Sequence, residues 1–154
     1  MATVISLNQT VLEQLDLTPA LGTMEQLMAD PTGEPNVSFE IDFSREDTDP
    51  RELSEIPEVR LWFVRLDAAY PWLPLYLDWQ GGELARYVAM LIPHQFHPTE
   101  GIQYNPESLE IWVMAKVFVL HAWLAAQNIS ANARLKAMTQ MLGYELDDAF
   151  FAIL

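Results

Sequence analysis

Ten residues, Tyr70 to Trp79, hold four aromatic side chains and two prolines, with Asp67 just before them and Asp78 near their end. Each proline removes a backbone donor, fixes φ and holds the preceding residue away from the helical region, so no long regular helix runs through this segment. Each ring must be buried or left as a sticky patch. A stretch that is stiff, aromatic and irregular serves either as a plug in the core or as a prepared contact surface, and the residues alone leave both open. On a rigid loop, Tyr70, Trp72 and Trp79 make good interface anchors, whereas Trp62, Trp112 and Trp123 are expected in the core.

The rest of the chain reads as strands early and helices late. Thr3–Leu7 alternates weakly, as an edge strand does, and Asn8 or Thr10 can cap a short helix to Leu15. A second helix is expected over 19–29. Val37, Phe39, Ile41 and Phe43 alternate strictly with polar residues, which predicts a strand with one buried and one acidic face. Asp49 and Pro50 resemble a helix start. Val59–Asp67 is read as a further strand, covered on both sides because Trp62 and Phe63 alternate. Gly81-Gly82 breaks the chain, 83–92 carries a helical stripe, and 93–105 is read as a loop. Asn105, Pro106 and Glu107 open a helix that reaches about Gln127 and is apolar on nearly every side, so it is placed in the middle of the fold. Ser130 can cap a further helix with its stop at Gly143, and Asp147 or Asp148 a last turn whose Phe150, Phe151 and Leu154 plug the core. The expected fold is α+β: a small, mainly antiparallel sheet from the N-terminal half packed on a C-terminal group of helices.

At 154 residues with half of them hydrophobic, the chain suits one domain spanning 1–154. Its eight bases against 22 acids give a net charge of −14. The asymmetry is the informative part: residues 1–58 carry thirteen acids against only Arg45 and Arg51, while the remainder is nearly balanced. This acidic third is expected to be partly mobile. Such charge repels nucleic acid and anionic membrane and steers a basic protein partner. The start, MATVISLNQ, has neither the basic and apolar segments of a signal peptide nor the arginines of a transit peptide. Lys116 and His121 interrupt the most apolar run, so no membrane span is expected. A soluble, cytoplasmic monomer is the expectation.

Few residues combine into recognisable chemistry. With no cysteine, thiolate metal sites, cysteine nucleophiles and disulfides are excluded. His94 and His97 with Glu100 form the one metal-like grouping, bracketed by Pro93 and Pro98. Asp67 with Asp78, or Glu83 with His94, are the carboxylate pairings an acid–base enzyme would need, and no phosphate loop, dinucleotide fingerprint or nucleophile elbow accompanies them. His121 on its apolar helix reads as a core histidine.

Longer stretches carry a family likeness. The run PEVRLWFVRLDAAYPWLP from Pro57 to Pro74 resembles the chlororespiratory reduction 6 family of cyanobacteria and plastids, as do LDWQGGELARY (Leu77–Tyr87), MLIPHQ (Met90–Gln95), EGIQYNPE (Glu100–Glu107) and MLGYELDDAFF (Met141–Phe151). The resemblance implies a non-catalytic assembly factor, without cofactor or resident metal. It would transiently bind the iron–sulfur subunit I while the hydrophilic arm of the photosynthetic NAD(P)H dehydrogenase-like complex is assembled. It transfers no catalytic residue. The contact surface expected from the residues is Tyr70, Trp72, Asp78, Trp79, His94 and Gln95, flanked by Glu52 and Glu55. Rival readings are a small metal-dependent enzyme built on His94, His97 and Glu100, and a generic acidic protein-binding adaptor.

Overall fold

Seven helices and two two-stranded sheets make up the computed structural model, which describes residues 1–154. The α+β class is as expected. Strands β1 (Thr3–Asn8) and β2 (Val37–Asp42) turn Ile5, Leu7, Val37 and Phe39 into the core. They pair in parallel, from Thr3 opposite Val37 to Asn8 opposite Asp42, which corrects the expectation of an antiparallel N-terminal sheet. The cause lies in the connection. Helices α1 (Gln9–Glu13) and α2 (Thr18–Ala29) fill it and carry the chain back to the end where β1 begins, and a crossover of that length permits parallel pairing. Of the two expected caps, Asn8 rather than Thr10 caps α1, accepting from the Val11 N–H.

Helix α3 (Pro57–Ala69) occupies the stretch read as a strand. Proline at its first position pre-sets φ, and Val59, Trp62, Phe63 and Leu66 recur at helical spacing on one fully buried face while Leu61 and Val64 stay exposed. The β-branched and aromatic residues suggest a strand locally, but the packing of that stripe against β2 and α4 (Glu83–Leu91) overrides the propensity. The Trp62 indole N–H and the Arg65 guanidinium donate to the carbonyls of Asp16 and Leu15, at 2.7 Å each, which ties α3 to the turn between α1 and α2.

The helix stops at Tyr70, the residue before Pro71. The aromatic segment that follows folds into a 3₁₀ turn (Leu73–Tyr76) whose residues are all buried. It then runs beside β2, where Val37 bridges Leu77 and the Asp78 N–H donates to the Val37 carbonyl. Most of the segment is therefore core. The Tyr76 hydroxyl donates to the Pro31 carbonyl at 2.5 Å, and the Trp79 indole to the Pro74 carbonyl at 2.8 Å.

Gly82, at φ +81°, makes the left-handed turn into α4, as the paired glycines predict. The stretch read as a loop after α4 is a hairpin of β3 (His94–His97) and β4 (Gly101–Tyr104), with Gly101 in the left-handed region closing the turn. Helix α5 (Pro106–Ala126) starts at the predicted cap, Asn105. It is not central. Only 28% of its most apolar 18-residue window is buried, with Val113, Lys116, Val117, Leu120 and Leu124 facing inward. By length and composition it would pass as a membrane-crossing helix, yet one face is packed in the fold and the other has no protein layer over it. Helix α6 (Asn132–Met141) packs beside it and ends at Gly143 as expected. Its first residue follows Ala131 rather than a Ser130 cap. The last turn, α7 (Asp148–Phe151), is capped by Asp147 and buries Phe151. Leu154, expected in the same plug, stays exposed. Thirty buried side chains, from Ile5 to Phe151, form one cluster.

Candidate functional site

The expected contact residues separate into two groups with different surroundings. Trp72 is only 4% exposed; its ring stacks on Trp123 of α5 at 5.5 Å and 19°, and meets Tyr70 and Tyr76 edge-on. Trp72 is thus a core residue, which corrects its expected place on the surface. The two prolines do hold it rigid, but they aim it inward at α5. Tyr70 and Trp79, at the ends of the plug, remain half-buried. Asp78 points into the turn it precedes and accepts from the Gly81 N–H at 2.9 Å.

The second group gathers where a short 3₁₀ turn (Leu53–Glu55) meets the β3–β4 hairpin. Glu52 and Glu55 form a reciprocal capping box around that turn, each carboxylate accepting from the other residue's backbone N–H, and both side chains stay exposed. Between them Ser54 reaches His94, with 2.7 Å from Oγ to Nε2. His94 Nδ1 donates to the Ile92 carbonyl at 3.2 Å, so in the neutral ring Nε2 is the acceptor of the Ser54 hydroxyl. Gln95 is exposed on the neighbouring strand position, beside a shallow cleft of about 360 Å³ between Pro93 and Pro106. A second cleft of about 360 Å³ has a floor of Leu53, Ala89, Met90 and Ile102 and a rim that includes Glu52, Arg45 and Arg86. The Tyr104 hydroxyl donates to the Ala85 carbonyl at 2.6 Å, and burial pushes it up to about 12.

None of the enzyme-like pairings is assembled. His94 is engaged with Ser54, while His97 Nδ1 accepts from the backbone of Thr99 and Glu100, so the two rings serve different turns. No group of three potential ligands forms a metal-binding set. Asp67, which an acid–base reading would set with Asp78, instead pairs with buried Lys116 of α5 and accepts the Tyr87 hydroxyl at 2.7 Å. Burial, then the charge of Asp67, hold the Tyr87 phenol well above its usual range. Glu83, far from His94 in its contacts, accepts from the Phe39 N–H at 3.4 Å and lies 3.5 Å from Arg86, whose guanidinium donates to the Phe39 carbonyl. Together the two side chains occupy the edge of β2, as another strand would. Burial raises the Glu83 carboxyl, against the opposing pull of Arg86.

Electrostatics reach further than any cleft. Arg51, Arg86, Lys116 and Lys136 pair with Asp49, Glu83, Asp67 and Asp148. Arg45, Arg60, Arg65 and Arg134 each donate to a backbone carbonyl. Four of the eight bases are therefore charge-paired and the other four tethered to the backbone, and of the 22 carboxylates four have a cationic partner, leaving eighteen without one. The Arg51 guanidinium beside Asp49 lowers that carboxyl to about 2.

Sequence reasoning missed the outer face of α5. Ile111, Phe118 and Val119 are 71%, 50% and 44% exposed, on a helix whose uniform apolarity pointed to the interior. The signal available was quantitative: a 154-residue chain has few elements with which to cover all sides of a 21-residue helix.

A family model for chlororespiratory reduction 6 matches residues 7–153. No solved structure matches the chain.

Proposed function

The chain belongs to the chlororespiratory reduction 6 family, and from that premise we propose that it is a non-catalytic factor that transiently binds the iron–sulfur subunit I during assembly of the hydrophilic arm of the photosynthetic NAD(P)H dehydrogenase-like complex. Membership indicates a role in assembly of that complex, and the family is associated with assembly rather than with catalysis. The observation that carries the reading is the charge arrangement: four of the eight bases are paired with carboxylates inside the molecule, and Glu52 and Glu55, each capping the other's backbone N–H, are exposed without a cationic partner beside an apolar-floored cleft. Such a surface attracts a basic subunit and speeds encounter more than it deepens affinity, which suits a partner that must later leave. Without cysteine the chain offers no thiolate to an iron–sulfur cluster, so its part is to shield polypeptide rather than to hold the cluster through sulfur.

The proposed contact surface is Glu52, Glu55, His94 and Gln95, extended by Asp78 and the half-exposed rings of Tyr70 and Trp79, with Trp72 supporting Tyr70 from beneath. The protein would act as a monomer in the cyanobacterial cytoplasm or the equivalent plastid stroma. The test is a pull-down of the tagged chain from cyanobacterial lysate at low salt, with bound proteins identified by mass spectrometry. Subunit I recovered without the rest of the mature complex supports the proposal. Recovery of the whole mature complex, or of bait alone, overturns it.

A further inference from the structure

On α5, Ile111, Ala115, Phe118, Val119 and Ala122 fall at successive steps of four, three, one and three residues, which places them on a single face. All five are exposed. The face is about three turns long, and its two alanines leave low ground on either side of Phe118, where side chains of a second helix can seat. An uncovered apolar face of this kind marks an interaction site.

The charges around it select the occupant. Glu107 lies one turn before Ile111, and Glu110 lies on the flank; both are exposed and neither has a cationic partner. On that same side α7 approaches, with Phe150 6.2 Å from Phe118, and its leading residues Glu145 and Asp147 are exposed and equally unpaired. A second copy of the chain brings another −14 of charge, and four of its eight bases are already paired with its own carboxylates. An anionic bilayer is repelled for the same reason. We propose that the exposed face of α5 docks an amphipathic helix of a partner protein, its apolar stripe lying over Phe118 and its lysine or arginine rim meeting Glu107, Glu110 and Asp147.

This surface is distinct from the one at the Glu52–Glu55 turn and holds whichever subunit is bound, so it can fail while the subunit I pull-down succeeds, and the reverse. The test uses a fluorescein-labelled model helix of about 18 residues, five turns, with a leucine face and a lysine rim, titrated against the full chain by anisotropy. The control peptide carries glutamate in place of lysine. Phe118→Glu and Ile111→Glu are compared with the wild type, each first checked for an unchanged melting curve, since both positions are exposed. The expected result is binding of the lysine peptide alone, weakened about tenfold or more by either substitution, as removal of an interface anchor does. The substitutions add negative charge, so simple attraction of a cation to an acidic protein predicts the opposite sign. Unchanged or tighter binding by the variants, or no binding by the wild type, overturns the proposal. So does sedimentation of the wild type as a dimer that Phe118→Glu dissociates, or its flotation with neutral phosphatidylcholine vesicles.

Discussion

Trp72 lies face to face with Trp123 and shut off from solvent, so Trp72→Ala leaves a cavity that the neighbouring rings cannot refill. Urea denaturation is expected to show a loss of roughly 3–5 kcal/mol; a loss under about 1 kcal/mol would return the residue to the surface. Nothing in the run YPWLPLY distinguishes the inward rings from the outward ones. A ring that suits a core also suits an interface, and β2 and α5, distant in sequence, decide the orientation. The partner of Asp67 was hidden for the same reason: Lys116 lies 49 residues away. Lys116→Met or Asp67→Ala strands a charge in a largely buried setting and is expected to cost about 3 kcal/mol. The double variant Lys116→Met, Asp67→Asn keeps an acceptor for the Tyr87 hydroxyl and should recover most of that; a loss equal to the sum for Lys116→Met and Asp67→Asn measured singly would show the pair to be uncoupled. Glu83 gives a pH signature. Its carboxyl is raised in the folded state, so the fold favours its protonated form, and the stability tied to that proton is present at acid pH and lost as pH rises through the raised value. The melting temperature of the wild type relative to Glu83→Gln should therefore climb as pH falls from neutral towards the ordinary value of 4.5. A constant difference would mean that the carboxyl is not perturbed.

Individual elements show where local pattern is trustworthy. The caps at Asn8 and Asn105, the stop at Gly143 and the turn at Gly82 were legible because each depends on one residue's own φ or side-chain oxygen. Helix α3 was misread because a string of β-branched and aromatic residues satisfies the strand template as well as the helical one. Only the packed face of Val59, Trp62, Phe63 and Leu66 resolves it. The turn at Leu53–Glu55 belongs to the proposed contact surface, and its two roles can be separated. Glutamine serves in a capping box as glutamate does, so the double variant Glu52→Gln, Glu55→Gln removes charge while keeping both caps. Association with purified subunit I, followed by stopped-flow fluorescence, is expected to slow several-fold with an unchanged melting temperature. An unchanged rate would remove this turn from the binding surface.

For the whole molecule, eighteen carboxylates without cationic partners make self-repulsion a term of the fold itself. Raising sodium chloride from about 0.01 M to about 0.15 M shortens the screening length from roughly 30 Å to 8 Å. The melting temperature is expected to rise over that interval; a fall would mean that the few ion pairs outweigh the repulsion. The amino-acid sequence by itself determined what needs no partner element: the α+β class, the absence of thiolate chemistry, the acidic balance, the family, and the boundaries at Gly82, Asn105 and Gly143. Tertiary structure alone decided the parallel pairing of β1 and β2, the inward turn of Trp72, the engagement of His94 by Ser54, and the bare face of α5. Those depend on which surfaces meet across long separations. Local composition can make a surface apolar, but the number and arrangement of the other elements decide whether anything covers it.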